Sequence, residues 1–190
     1  CEYIPYILAD ELVFTNPLQR DYMLGYISEP EIRNEVMSKS VIRPQPTLDP
    51  KYYQLALAAY ALDDAVVNIG YFGAFYATRG FGAVLTELKT LPEHLRARIN
   101  LHIFTNQSEA ITELDGYELL KDSLRLNPYV PYLEFLNLSK QFDLLLVNDA
   151  VTIGAKPVNP YLPSKLSDYV GSGRRVWCLY EQGSTMDSLT

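Results

Sequence analysis

Basic charge is scarce in this chain. Sixteen lysines and arginines face 23 aspartates and glutamates over 190 residues, a formal net charge of −7. Nucleic-acid binders ordinarily carry a basic face, so that class is set aside, while a single basic pocket for an anion is not. Cysteine is scarcer still, with Cys1 and Cys178 alone. Cys178 sits in an apolar run and reads as a small buried hydrophobe, so a disulfide framework is not expected. The two histidines, His94 and His102, stand in no zinc-ligand spacing with cysteine or acids. His102, between Leu101 and Ile103, reads as a partly buried strand residue rather than a base. No run of 18 apolar residues occurs, and no basic segment followed by an apolar one opens the chain. It opens instead on Cys1-Glu2-Tyr3, so the native N-terminus is expected upstream. The GxGxxG fingerprint, the P-loop Lys-Ser/Thr and the GxSxG elbow are all missing.

What is present is an ordinary globular composition, 48% hydrophobic and 21% charged, in a length suited to one well-filled domain. Short apolar runs at 65–71, 99–105, 142–147 and 175–180 alternate with helical spacing at 80–88, 108–114 and 132–140. The run Leu144-Leu145-Leu146-Val147 suits a strand covered on both faces. An earlier strand is expected at 11–15. Asn16 then caps a helix over 17–24 with Pro17 at its first position. Residues 52–62 also have helical spacing, and Leu124 and Val130 belong to one more short strand or to extended segments. The expected fold is α/β, an open parallel Rossmann-like sheet flanked by helices, with ligands beyond the carboxyl ends of the strands. That edge comprises the loops at 71–80, 105–107, 148–150 and 181–184.

Two stretches carry the candidate chemistry. The glycine-rich loop from Gly70 to Gly80 permits close backbone approach to a ligand, and Arg79 is expected at the following helix start. The stretch from Asn159 to Gly173 reads as a loop feeding a helix at Ser164, with Lys165 in its first turn and Asp168 one turn on. Helix starts favour anions, so a basic residue there is unfavourable by roughly 0.3–1 kcal/mol unless an anion joins it. Arg79 and Lys165 therefore read as phosphate ligands, with surface salt bridges or solvated side chains as the plain alternative. Asp168 suits a sugar hydroxyl, or else a pairing with Lys165 worth only about 0.2–0.5 kcal/mol.

These residues together resemble the C-terminal, donor-binding half of a GT-B glycosyltransferase, in the large retaining family (glycosyl transferases group 1, GT4-like) that includes sucrose, glycogen and polysaccharide-assembly enzymes. Residues 9–16 resemble the passage out of an acceptor domain, here expected to be missing, and 1–190 then form one donor-binding domain. Gly73 to Gly80 resembles the family's glycine loop, which gives Arg79 the diphosphate contact; Ala74 stands where a second basic residue often follows. Residues 142–146 resemble the family's strand entered through an aspartate. Pro163-Ser164-Lys165-Leu166-Ser167-Asp168-Tyr169 resembles the variant found in capsule and exopolysaccharide enzymes. Asp168 falls where the second glutamate of the paired-acid motif grips ribose, and Pro160 falls at the first.

The resemblance implies transfer of a sugar from a UDP- or GDP-sugar to a glycan or lipid-linked acceptor, with retention, no metal and no cofactor. Surface polysaccharide assembly in the cytoplasm, with peripheral contact at the inner membrane face as an option, is the expected setting. Arg79 and Lys165 would act on the leaving diphosphate. Gly73, Thr105, Asn106, Val130, Pro131, Leu162, Pro163, Ser164, Leu166 and Asp168 would complete the nucleotide-sugar site. Ala74 and Pro160 keep open a rival reading, a non-catalytic α/β nucleotide-binding or protein-interaction domain.

Overall fold

The computed structural model describes residues 3–75 and 79–189. Cys1 and three positions of the glycine-rich loop, 76–78, lie outside them. The chain falls into two compact units where the sequence reads as one. The first comprises residues 1–46, 149–162 and 180–190; the second comprises 47–148 and 163–179.

The first unit opens with α1 (Ile4–Leu8), β1 (Leu12–Phe14), α2 (Pro17–Leu24), α3 (Pro30–Ser38) and β2 (Ser40–Ile42). The β1 and β2 strands pair in parallel as a two-stranded sheet of their own. The α2 helix begins as its sequence dictates: the Asn16 side chain accepts from Gln19 N, and Pro17 fills the first turn, where no N–H is needed. Phe14, Leu24, Ile27 and Val36 form this unit's small core.

In the second unit a 3-10 turn (Pro50–Gln54) precedes β3 (Val67–Phe72), α4 (Gly82–Thr90), α5 (Glu93–Arg96) and β4 (Ile99–Phe104). There follow α6 (Ser108–Thr112), α7 (Tyr117–Leu120), β5 (Leu124–Asn127), α8 (Tyr132–Ser139), β6 (Leu144–Asn148), α9 (Lys165–Gly171) and β7 (Arg175–Leu179). All five strands are parallel, in the spatial order β5-β4-β3-β6-β7. The chain thus winds outward from β3 in one direction and resumes on its other side with β6. That reversal is a topological switch point, and in such sheets ligands bind beyond the strand ends beside it.

The two faces of this sheet are built from different side chains, as strand alternation requires. On one, Ile69, Tyr71, Leu101 and Ile103 pack with Phe81, Val84, Leu85, Leu88, Ile111 and Leu120 in an apolar core. On the other, Phe72, Phe104, Phe135 and Phe142 stack within ring-centroid distances of 4.5–6.1 Å. Gly70 makes that second face possible: a Cβ there would lie 2.8 Å from the Phe142 ring. His102 also points to this face and is 3% exposed. Its ring nitrogens contact the Tyr60 hydroxyl at 2.9 Å and Asn68 Oδ1 at 3.0 Å. Burial and the Arg125 charge push its pKa down to about 4, so it is neutral and structural.

One expected helix is absent. Residues 52–62 hold only the end of the 3-10 turn and then run irregularly. Side chains of α8 and its flank take the backbone groups that a helix would have used. Asn137 donates to Tyr53 O and accepts from Ala58 N, while Gln141 donates to Ala58 O. Tertiary hydrogen bonds outweigh the weak helical preference of an alanine- and leucine-rich segment. The helix expected from residue 80 begins at Gly82, with Phe81 at the cap position. Arg79 is therefore in the loop before it, and not at the helix start expected from the sequence.

Candidate functional site

The carboxyl ends of β3 and β6 open onto a cavity of about 130 Å³. Its wall includes Tyr71, Ala74, Arg79, Asn148, Pro163, Ser164 and Lys165. The Asn148 side chain donates to Gly80 O at 2.9 Å and so ties the Arg79 loop to the end of β6. A second cavity, of about 150 Å³, shares Ser164 and Lys165 with the first. Its wall is aromatic, with Phe72, Phe104, Tyr129, Tyr132 and Phe135, and carries Gly73, Val130 and Asp168. Lys165 thus stands where the two cavities meet, between a basic compartment and an aromatic one.

Two tyrosines place α9 over the sheet. The Tyr169 hydroxyl, fully buried, accepts from Phe72 N at 3.1 Å at the end of β3. The Tyr53 hydroxyl donates to Asp168 O at 2.7 Å. With its backbone held on both flanks, α9 presents Lys165 to Gly73. A Cβ on Gly73 would collide with Lys165 Nζ, and its φ of 155° favours glycine independently. The ammonium also lies 5.6 Å from the centre of the Tyr71 ring.

Electrostatics make this a costly place for a cation. Burial, reinforced by the Arg79 charge and opposed by Asp168, pushes the Lys165 pKa down to about 8. Burial raises the Asp168 carboxyl above its usual range, against the lowering effect of a hydrogen bond from Tyr132 and of the Lys165 charge. Two positive groups held together in a half-buried cavity are stabilised by an anion between them.

The structure gathers Gly73, Arg79, Val130, Pro163, Ser164, Lys165 and Asp168 around these two cavities. Thr105 is instead buried, its N donating to Asn127 O and its Oγ1 accepting from Gln107 N, and it belongs to neither wall. Asn106 is exposed beside it, and Pro131 caps α8 without joining a wall. Leu162 falls in the other compact unit. The start of α9 is also less open than its sequence suggests. Leu166 N and Ser167 N donate back to Pro163 O and Ser164 O, so the anion-binding capacity rests on side chains rather than on those amides. Ser164 makes no side-chain cap.

Sequence reasoning put Tyr71 and Asn148 on the ligand edge without giving either a role, and it missed the aromatic wall. Their shared signal is position: Tyr71 and Asn148 end the two strands that flank the switch point, while Tyr129, Tyr132 and Phe135 carry no motif. Among the described residues no group of histidine, cysteine or acids is placed to hold a metal ion. No helix among them is long and apolar enough to cross a membrane.

No family model matches the sequence, and no curated protein matches it. Solved structures do match. The glycosyltransferase WaaG, involved in lipopolysaccharide biosynthesis, superposes with a TM-score of 0.65 at 15% identity, over 95% of this chain and 46% of its own. HepE (Alr3699) of Anabaena, solved in complex with UDP, superposes with a TM-score of 0.62 at 10% identity, over 98% of this chain and 48% of its own. The fold is that of a GT-B half. At these identities the likeness concerns architecture, and the chain spans about half the length of the GT-B proteins it matches. The sheet order described above is the Rossmann-like arrangement expected from the sequence.

Proposed function

We propose that the chain binds a nucleoside-diphosphate sugar and serves as the donor half of a retaining glycosyltransferase that acts on a glycan or lipid-linked acceptor. One observation carries this reading. Lys165 and Arg79 share a half-buried cavity at the switch point of the sheet, and that cavity opens beside an aromatic one holding a carboxylate. A diphosphate suits the first compartment, and a nucleoside suits the second, with Asp168 toward its ribose. WaaG lends support as a glycosyltransferase of similar fold, and HepE as a protein of similar fold solved in complex with UDP.

The chemistry follows from charge. Breaking the bond between sugar and diphosphate leaves negative charge on the departing phosphate oxygen. Cations fixed in place before the reaction stabilise that charge without reorganising. Lys165 and Arg79 fill this role from opposite sequence segments, and the Asn148 bond to Gly80 O holds the Arg79 loop to its strand.

Calorimetric titration with UDP and GDP tests the reading. Lys165→Ala and Arg79→Ala each remove a charge-assisted contact of about 1.5–3 kcal/mol, so each raises the dissociation constant roughly tenfold or more. Parent-like affinity in both variants, or no nucleotide binding by a folded parent, defeats it. Ala74 and Pro160, at positions where the family has basic and acidic residues, favour a second reading as a non-catalytic nucleotide-binding domain. Release of sugar from the bound donor, with or without acceptor, separates the two.

A further inference from the structure

One oxygen of the carboxylate assigned to ribose already accepts a hydrogen bond. Tyr132 donates its hydroxyl to Asp168 Oδ1 at 2.8 Å, across the aromatic cavity that both residues line. A phenol O–H donating to a carboxylate is the same interaction that a sugar hydroxyl would make with it. A sugar hydroxyl that approaches Oδ1 from the cavity meets the phenol there, so it bonds that oxygen in the same geometry only by displacing Tyr132.

The surroundings decide which partner moves. Asp168 is anchored: its carbonyl accepts from the hydroxyl of Tyr53, which is 1% exposed, and its neighbour Tyr169 is fully buried. Lys165 on the same helix attracts the carboxylate toward the cavity junction. Tyr132 is the opposite case. It is the first residue of α8, is 50% exposed and has Phe135 as its ring neighbour, at 5.7 Å. Turning it outward breaks one hydrogen bond and little packing, whereas Asp168 sits on a held backbone with a half-buried carboxylate that Lys165 attracts. Leaving a half-buried carboxylate without a donor costs more than the bond itself is worth, so a ligand that expels Tyr132 must replace its hydrogen.

We propose that Tyr132 is a specificity-determining residue, which donates to the Asp168 carboxylate and gives way to nucleosides whose sugar presents a hydroxyl to take its place. The inference rests on the donor-site reading above and deepens it, from a nucleoside diphosphate to one bearing a free ribose hydroxyl. A ligand without that hydroxyl either leaves Tyr132 in place and docks incompletely, or strands the carboxylate. Sites built around a hydrogen-bonded hydroxyl reject analogues lacking it for this reason.

Titrations with UDP and with 2′,3′-dideoxyuridine diphosphate, on the parent chain and on Tyr132→Phe, test it. Phenylalanine keeps the ring and removes the competing hydroxyl. The variant is expected to bind UDP roughly three- to tenfold more tightly, the worth of one net hydrogen bond. The dideoxy analogue gains nothing, so discrimination between the two ligands widens. In an Asp168→Ala background the gain for UDP disappears, because the two side chains act as a pair. Unchanged or weaker UDP binding by Tyr132→Phe overturns the inference and leaves the donor site standing. So does a gain that persists without Asp168. A parent chain that binds neither UDP nor GDP removes the donor reading, and this inference with it.

Discussion

Lys165 is the residue on which the pocket turns. Its ammonium is half-buried, close to Arg79 and held against Gly73, where a larger residue would be strained and would have to push the ammonium aside. With a pKa near 8 it is charged at neutral pH and loses its proton over the next units. A bound diphosphate favours the charged form, so binding above pH 8 draws in a proton. The sign follows: UDP affinity falls as pH rises past 8, by up to about tenfold per unit, until the pKa of the bound state is reached. Titrations at pH 7.5, 8.5 and 9.5 in buffers of different ionisation enthalpy would record both the loss and the proton uptake. Lys165→Ala should flatten the profile; a parent profile already flat over this range counts against Lys165 as a phosphate ligand. Residues of this kind were readable from the sequence because a lysine at a helix start is electrostatically misplaced. Tyr132 was not. Its partner lies 36 positions away, and nothing in a tyrosine after a proline announces a bond to a distant carboxylate.

At the scale of elements, the strands were the clearest part of the sequence. The apolar runs at 65–71, 99–105, 142–147 and 175–180 are β3, β4, β6 and β7 to within a few residues. A buried parallel strand must be apolar on both faces, and few other elements are so short and so greasy. In the first unit α2 was equally clear, and the elements around it were harder. The α3 helix and β2 follow a segment of mixed polarity with little periodicity, and their small core is assembled from several elements. The sharpest element-level feature is the join of β3 to the start of β6. Asn68 N donates to Asp143 Oδ2 and Asp143 N to Asn68 O, which fixes the register, while Gly70 lets Phe142 lie flat on β3. Phe142 is fully buried and touches the rings of Tyr60, Phe72, His102 and Phe104. Phe142→Ala should destabilise the chain by about 3–5 kcal/mol, since neighbours pinned by the sheet cannot close the gap. Chemical denaturation measures this; a loss below about 1 kcal/mol would mean that the aromatic face repacks freely.

The whole molecule carries a built-in reporter. Its single tryptophan, Trp177, lies in β7 and packs against the core of the second unit. Tryptophan emission during unfolding therefore follows the unit that holds the candidate pocket. A nucleoside diphosphate at 100 times its dissociation constant stabilises that unit by about 2.7 kcal/mol. The Trp177 transition should move to higher denaturant by the corresponding amount with UDP present, and an unmoved transition at saturating UDP would place binding elsewhere or nowhere. The division into two units had no sequence signature. The chain passes from one to the other after residues 46, 148, 162 and 179, and no glycine- or serine-rich linker marks the crossings.

That threading also sets a timetable. A ribosome delivers the chain from its N-terminus, and domains tend to fold as their residues appear. Strands β3 to β6 are complete by residue 148, so four of the five can pair while α9 and β7 are still unmade. The nascent sheet then has Tyr71, Arg79 and Asn148 at its edge, and β6 exposed for pairing where β7 will lie. It has neither the ammonium of Lys165 nor the carboxylate of Asp168. A chain still in synthesis lacks both of these groups of the proposed nucleotide site until residue 168 has cleared the exit tunnel, and through that interval the ligand of that site could not shield its open strand.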